Sequence, residues 1–220
     1  MDISNLPLTI AIPNILELSD EEYALARRNG LGASDASVYL NLQSQWKTVQ
    51  DLIIEKCTPY ITDEERAIGE KEVVRKGRDL EPLILQKAEK ELGMPIEKPT
   101  AMYRHKEYEF MTINFDGVMH TPEGFIPVEC KFVSRSGDKY YDRTKPEGIP
   151  EYYRAQLHQQ MIGLNAPYGY LAALFDKGWI FHLFKIQRDE KLINQIIVEG
   201  YKTWELIKAR RKGITGFTNR

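Results

Sequence analysis

Two cysteines in 220 residues are few, and Cys57 and Cys130 are too far apart to suggest a C-x-x-C pair. A structural zinc site or an iron–sulfur cluster takes about four soft ligands, so both are disfavoured. The four histidines, at 105, 120, 158 and 182, never fall four residues apart, so no helical His pair is present to ligate zinc. No apolar run approaches the roughly 18 residues of a membrane helix. The opening Met-Asp-Ile-Ser-Asn-Leu-Pro lacks a basic region and an apolar core, so no secretory leader is expected. Free thiols and the missing leader suit a reducing cytoplasm. No repeat and no low-complexity tract interrupts the chain. A strong charge of either sign is also missing: 30 Lys and Arg stand against 32 Asp and Glu, a net of −2. That excludes a histone-like polycation but not a nucleic-acid partner, because a folded surface can segregate its charges.

What remains is an ordinary globular composition, 42% apolar and 28% charged. A chain of this length buries roughly 70% of its unfolded surface and needs no disulfides. Its charge is uneven. Residues 1–26 hold Asp2, Glu17, Asp20, Glu21 and Glu22 with no Lys or Arg, and are expected to lie outside any nucleic-acid path. The end holds Lys202, Lys208, Arg210, Arg211, Lys212 and Arg220 against Glu205. Two readings of that end are open: a solvated last helical turn that complements the helix dipole, or a nucleic-acid contact.

Ser19-Asp20-Glu21-Glu22 is a capping box that opens a short helix running to about Arg28. Asn29-Gly30-Leu31-Gly32 breaks it, Ser34 caps another short helix, and Thr48 with Asp51 repeats the box. Residues 59–71 are polar, a loop or a frayed helix. Leu80, Ile84, Ala88 and Leu92 form a helical stripe from about Asp79 to Leu92 that Gly93 stops. Pro82 is tolerable in a first turn, which places Glu81 near that helix's start. The pattern then turns to strands. Phe115–His120 and Phe125–Phe132 flank Thr121-Pro122-Glu123-Gly124, a hairpin turn. A polar loop over 134–149 precedes a helix over 151–164. Strands over 168–175 and 179–186 follow, and a closing helix over 189–211. This order predicts a mixed α/β layered domain.

One constellation carries chemistry: Glu81, Asp116, Glu129 and Lys131. Val128, Cys130 and Phe132 alternate with Glu129 and Lys131, so acid and amine share one strand face. The hairpin sets Asp116, beside a glycine that lets a ligand approach the backbone, against Glu129. Clustered carboxylates repel unless a cation joins them, and hard oxygens suit Mg²⁺ or Mn²⁺. Such a site activates water and stabilises charge on a phosphate. An E-x-K alone is also what a solvated strand face shows; the upstream Asp-Gly and the helix-borne Glu81 set this one apart.

Phe115-Asp116-Gly117 followed by Val128-Glu129-Cys130-Lys131 resembles the PD-(D/E)XK nuclease motif, with Phe115 in place of the usual proline. Further segments, in order, resemble the YqaJ-type viral recombinases, the group that includes the bacteriophage lambda exonuclease. They are the entry stretch Tyr23–Ser34 (with Tyr23 where Trp is usual), Gly77-Arg78-Asp79-Leu80-Glu81-Pro82, and Tyr152-Tyr153-Arg154-Ala155-Gln156. The resemblance covers about residues 23–160.

The resemblance implies an α/β (α+β) fold with a PD-(D/E)XK restriction-endonuclease-like core, a central mixed sheet flanked by helices. It implies a single nuclease domain over 1–220: a helical entry region over 1–60, a catalytic core over 77–186, and the closing helix. The implied activity is a metal-dependent exonuclease that digests the 5′-ended strand of duplex DNA and leaves a 3′ tail for a single-strand annealing partner. Two Mg²⁺ or Mn²⁺ ions would be held by Asp116, Glu129, the Cys130 carbonyl and Glu81. Lys131 would position the nucleophile and Gln156 would assist. Arg27 and Ser34 would hold the 5′-phosphate, and Arg135 and Lys139 are possible DNA contacts. A homotrimer in the cytoplasm of a bacterial host, phage or prophage encoded, completes the expectation. Blander roles compete: Glu81 as a dipole partner, Ser34 as a helix cap, Gln156, Gln159 and Gln160 as a solvated helix face. Because Arg27 and Arg28 are adjacent, only one of them is expected to face a site. Two other readings stay open: a catalytically silent DNA-binding or scaffold domain on the same fold, and a RecB-like end-processing nuclease. The scarcity of cysteine argues against the iron–sulfur branch of the latter.

Overall fold

The computed structural model describes residues 1–42 and 47–217, with side chains up to residue 213. Arg220 of the basic end lies outside the described residues. In chain order the elements are β1 (Leu8–Ile12), α1 (Asp20–Ala26), α2 (Ala36–Tyr39), α3 (Val49–Cys57), α4 (Asp63–Gly69), α5 (Glu72–Leu92), β2 (Ile96–Glu97), β3 (Met102–His105), β4 (Thr112–Ile113), β5 (Gly117–Thr121), β6 (Gly124–Val133), α6 (Glu151–Leu164), β7 (Tyr168–Phe175), β8 (Ile180–Gln187) and α7 (Glu190–Phe217).

Five strands form a mixed sheet in the order β2-β5-β6-β7-β8. Only β6 and β7 run parallel, and α6 makes the crossover between them. Those two strands are paired on both edges, and Leu171 to Phe175 of β7 are fully buried, as a parallel pair covered on both faces requires. The helices do the covering. A side chain added at Gly117 would strike Leu85 of α5, and one at Gly169 would strike Leu157 and Met161 of α6. Since Gly117 pairs with Val128 and Glu129 with Leu171, two residues on from Gly169, α5 lies on the Val128 face and α6 on the Glu129 face. The expected central mixed sheet flanked by helices is what the chain forms.

A second, three-stranded sheet orders β1-β3-β4. No strand was expected over Leu8–Ile12, although Leu8, Ile10 and Ile12 alternate there with Thr9 and Ala11; in the fold only Leu8 of the five is buried. Four further expectations are corrected. Residues 59–71 contain the helix α4, opened by a capping box between Thr62 and Glu65 like those at Ser19 and Thr48. Helix α5 starts at Glu72, so Pro82 and Glu81 lie in mid-helix, not in a first turn. The residues that α5 buries, Ile84, Leu85 and Ala88, all follow Pro82. Tertiary packing there holds the helix together across a residue that lacks its N–H. Glu81 is therefore too far from the helix start to answer the dipole. The glycine beside Asp116 makes room for Ile96 and Leu85, not for a ligand.

The acidic N-terminal stretch is not set apart: Asp20 pairs with Arg78 of α5 and Glu21 with Arg66 of α4. At the basic end Lys202 and Lys208 pair with Glu199 and Glu205 along the helix. The Arg211 guanidinium lies over the Trp204 ring and donates to the carbonyls of Arg28 and Lys56, so that side chain is built into the fold.

Candidate active site

The hairpin of β5 and β6 turns at Pro122-Glu123, with Thr121 opposite Gly124 and Gly117 opposite Val128. This register puts Asp116, one residue ahead of β5, across from Glu129. The Asp116 carboxylate accepts the Cys130 backbone N–H at 2.8 Å, which ties the two acids to one place on the sheet. Glu129 is only 2% exposed. A carboxylate so buried must have its oxygens answered. Lys131 bonds one oxygen, and Gln156 donates to the same oxygen at 2.5 Å. Gln160 donates to the other at 2.6 Å. Gln156 and Gln160 are one helical turn apart on α6, so one helix face grips both oxygens. Lys131 also lies over the Tyr153 ring, 4.8 Å from its centre.

Glu81, Asp116, Glu129, Cys130, Lys131 and Gln156 all line one cleft. So do Tyr23, Arg27 and Ser34 of the entry region. The structure thus brings the two expected groups of side chains together. Arg27 donates to the Ser34 hydroxyl at 2.8 Å, and its guanidinium lies 5.9 Å from the centre of the Tyr23 ring. Ser34 does not cap a helix. It sits inside a short 3-10 turn, Ala33–Asp35, whose Gly32 N–H is answered by the Asp35 carboxylate instead. Arg28 points the other way: it is buried on Glu65 at 2.6 Å and on the carbonyls of Thr58 and Tyr60. Arg135 and Lys139 do not line the cleft. Arg135 reaches Asp176 at 3.3 Å and Lys139 lies over the Tyr140 ring.

The electrostatics reflect crowding. Burial, then the charge of Glu129, pushes the Asp116 carboxyl well above the usual carboxylate range, and Glu81 adds to the push. Burial works against the Lys131 charge, but Glu129, Tyr153 and Asp116 outweigh it and hold the ammonium above the ordinary lysine range. Burial and the neighbouring acids raise the Cys130 thiol, so it does not offer a thiolate. Two buried acceptors beside these acids, Asn114 Oδ1 and Gln160 Oε1, lack a protein partner.

These features fit a hard divalent cation: carboxylates that repel, beside buried oxygens without a protein partner. Among the described residues no three acidic, His or Cys side chains are drawn tightly enough to form a ligand set by themselves. Glu81 is held by Lys98 at 2.5 Å, and Glu129 by Lys131 and the two glutamines.

Sequence reasoning missed several residues that build this site. Gln160 and Asn114 carried no motif of their own; Gln160 shares a helix face with Gln156 as expected, but it and Gln159 are buried, which corrects the solvated-face reading. Asp35 and Lys56 form an almost fully buried ion pair at 2.7 Å, and Lys56 also donates to the Arg27 carbonyl at 3.0 Å. Nothing local in the sequence joins two residues that far apart.

The YqaJ-like viral recombinase domain matches residues 22–164, a stretch that holds every one of these cleft residues. The chain belongs to that family. The uncharacterized protein YqaJ of Bacillus subtilis (strain 168) is 30% identical over 190 residues, which cover 86% of this chain and 56% of that protein, so the chain spans little more than half of that relative's length. Among solved structures, the alkaline exonuclease LHK-Exo from Laribacter hongkongensis matches with a TM-score of 0.68 at 17% identity, covering 90% of this chain and 98% of that one. A phage related exonuclease from Haemophilus somnus 129PT matches at 0.60 and 13% identity, covering 84% and 96%. At such identities the likeness establishes the fold alone. Among the described residues no helix is long and apolar enough to cross a membrane.

Proposed function

We propose that this YqaJ-family protein is a metal-dependent exonuclease that digests the 5′-ended strand of duplex DNA from an end, leaving a 3′ single-stranded tail. One observation carries the reading. The acid–lysine hairpin and the Arg27–Ser34 pair open into the same cleft, so a phosphate anchored at one end of a strand and a scissile bond share one space. A silent scaffold has no need of a buried Glu129 gripped by three donors, because burying an acid costs stability unless a function retains it.

In this reading Asp116, Glu129, the Cys130 carbonyl and Glu81 would hold Mg²⁺ or Mn²⁺, two ions in all. A bound metal would supply Lewis acidity that makes an attacking water easier to deprotonate, and an offset for charge on the phosphoryl oxygens. The protein's own groups do the placing. Gln156 and Gln160 fix the plane of the Glu129 carboxylate. Lys131, kept protonated by its acidic neighbours, acts as a cation that orients the water or answers the phosphate, not as a base. Arg27 presents a planar pair of N–H donors, the geometry that binds a terminal phosphate bidentately, and the Ser34 hydroxyl adds a neutral donor. Attack of water on phosphorus breaks the bond to the 3′ oxygen of the terminal nucleotide. That releases a mononucleotide and leaves a new 5′-phosphate on the next one, the group the Arg27 pocket would take in the following round.

The work belongs in the cytoplasm of a bacterial host during phage-type recombination. The tail would pass to a single-strand annealing protein, and the enzyme would work as a homotrimer around the duplex. Arg135 and Lys139, away from the cleft, would contact DNA only along a path beyond it. The test is digestion of linear duplex labelled separately at each 5′ end and internally. Mg²⁺ or Mn²⁺ supports loss of the 5′-ended strands. Ca²⁺, with its longer and looser oxygen geometry, permits binding with little cleavage. Digestion that persists in EDTA would overturn the metal-dependent reading.

A further inference from the structure

Between Gln156 and Gln160 lies a third glutamine, Gln159, which the chemistry above does not use. Its side chain is fully buried. Its oxygen accepts the Tyr39 hydroxyl at 2.7 Å, and its amide donates to the Leu31 carbonyl at 2.9 Å and more weakly to that of Thr112 at 3.4 Å. Leu31 belongs to the entry loop between Arg27 and Ser34, and Tyr39 to the helix that follows it. The loop is further clasped by the Leu31 N–H on the Phe110 carbonyl at 2.7 Å and the Thr112 N–H on the Leu31 carbonyl at 3.0 Å. At Gly30 the strand approaches so closely that any side chain would strike Thr112 and the Phe110 carbonyl.

Helix α6 thus touches both halves of the cleft. One face grips Glu129 through Gln156 and Gln160, and the neighbouring face grips the entry loop through Gln159. We infer that Gln159 is a positioning residue that sets the spacing between the end-phosphate pocket at Arg27 and Ser34 and the reacting centre at Glu129. It touches neither substrate nor metal. It acts by fixing the loop against the helix that orients the catalytic acid. A fully buried amide that meets backbone and hydroxyl partners at both ends is a rigid link, since losing the bond to Tyr39 strands a buried amide oxygen and hydroxyl. The inference rests on the exonuclease reading and deepens it: the phosphate pocket speeds cleavage only while it is held in register.

The experiment compares initial rates on 5′-phosphorylated and 5′-hydroxyl duplexes, in Mg²⁺, for the wild type and Gln159→Leu, with thermal unfolding of each. A misplacement of about 1 Å can cost up to ~10²-fold, so the variant's rate on phosphorylated ends falls by about 10-fold or more, mainly in kcat. Its rate on hydroxyl ends falls less, so the preference shrinks. In an Arg27→Ala background the same substitution leaves the preference where Arg27→Ala had already put it. A purely structural role lowers the melting temperature and leaves the ratio unchanged, which would overturn the inference while the nuclease reading stands. Equal wild-type rates on both ends would remove the phosphate pocket and this inference together. A wild type that digests neither would overturn the nuclease reading itself. Should Gln159→Leu fail to fold, Tyr39→Phe removes one bond of the same link; a smaller drop in the ratio supports the inference, and an unchanged ratio overturns it.

Discussion

The two halves of the cleft are built in opposite ways. In the hairpin half the functional side chains hold one another: Glu129 is answered by Lys131, Gln156 and Gln160, and Asp116 by the backbone across the turn. In the entry half Arg27 and Ser34 share one hydrogen bond at the cleft, and most of the holding is done at the backbone beneath them. Lys56 and Asp35 pin it from inside, and Gln159 and Thr112 hold the loop from the side. A group that must keep one geometry against charged neighbours is held directly. The group that, on the proposed function, would receive a phosphate has a neutral partner in place of a buried ion pair, and its scaffold is held.

This contrast predicts what breaks each half. The largest effect is on chemistry: Glu129→Gln removes a charge from the centre of the hairpin network and lowers digestion by at least ~10²-fold, the scale seen for groups that orient a metal's ligands. Initial rates on linear duplex check it, with folding confirmed by an unchanged unfolding midpoint. Next, Lys56→Met leaves the Asp35 carboxylate buried and unpaired, and urea unfolding should show a loss of about 3–5 kcal/mol. A loss under ~1 kcal/mol would mean that the pair does not hold the loop.

The adjacent arginines sharpen the comparison. Arg28→Ala removes a buried guanidinium with its bonds to Glu65 and to the Thr58 and Tyr60 carbonyls, and is expected to cost about 2–3 kcal/mol, the range of charge-assisted bonds. Arg27→Ala, at the cleft, stays within about 0.5 kcal/mol of the wild type in stability while losing the preference for phosphorylated ends. Identical stability losses in the two variants would erase the distinction between held and free.

The smallest effect concerns Asp116. Its folded-state carboxyl is pushed above its unfolded value by burial and by Glu129, so the folded protein binds the proton more tightly. Stability therefore falls as pH rises from the unfolded carboxylate value near 3.8 toward the raised one. Asp116→Asn, which keeps an acceptor for the Cys130 N–H, removes that loss. The variant should be more stable than the wild type at neutral pH in the absence of divalent ions, with the gain shrinking toward pH 4. A variant less stable than the wild type at neutral pH would contradict the crowding of acids.

Much of this was legible in the sequence because it is local. The capping boxes at Ser19 and Thr48, the alternation around Glu129 and the Pro122-Glu123 turn each lie within a few residues. The hairpin turn itself brings Asp116 to Glu129. What the sequence hid is non-local. Pro82 lies inside α5 because Ile84, Leu85 and Ala88 pack after it, a fact of the assembled sheet. Lys56 meets Asp35, and Gln159 meets Tyr39 and Leu31, only once α3 and α6 are placed. The strand at Leu8 does alternate, Leu-Thr-Ile-Ala-Ile, but its partner β3 lies far along the chain. The roles assigned to the cleft residues rest on the reading of function, not on the fold.

The central claim is that one cleft both anchors a 5′ end and cuts beside it. The most direct measurement follows, in Mg²⁺, a duplex with separately labelled strands, comparing the wild type with Glu129→Gln. The account predicts that the wild type shortens the 5′-ended strand stepwise to mononucleotides and spares the 3′ tail, and that Glu129→Gln binds the same ends but does not shorten them. Digestion from the 3′ end, internal cuts, or equal digestion by Glu129→Gln would contradict it.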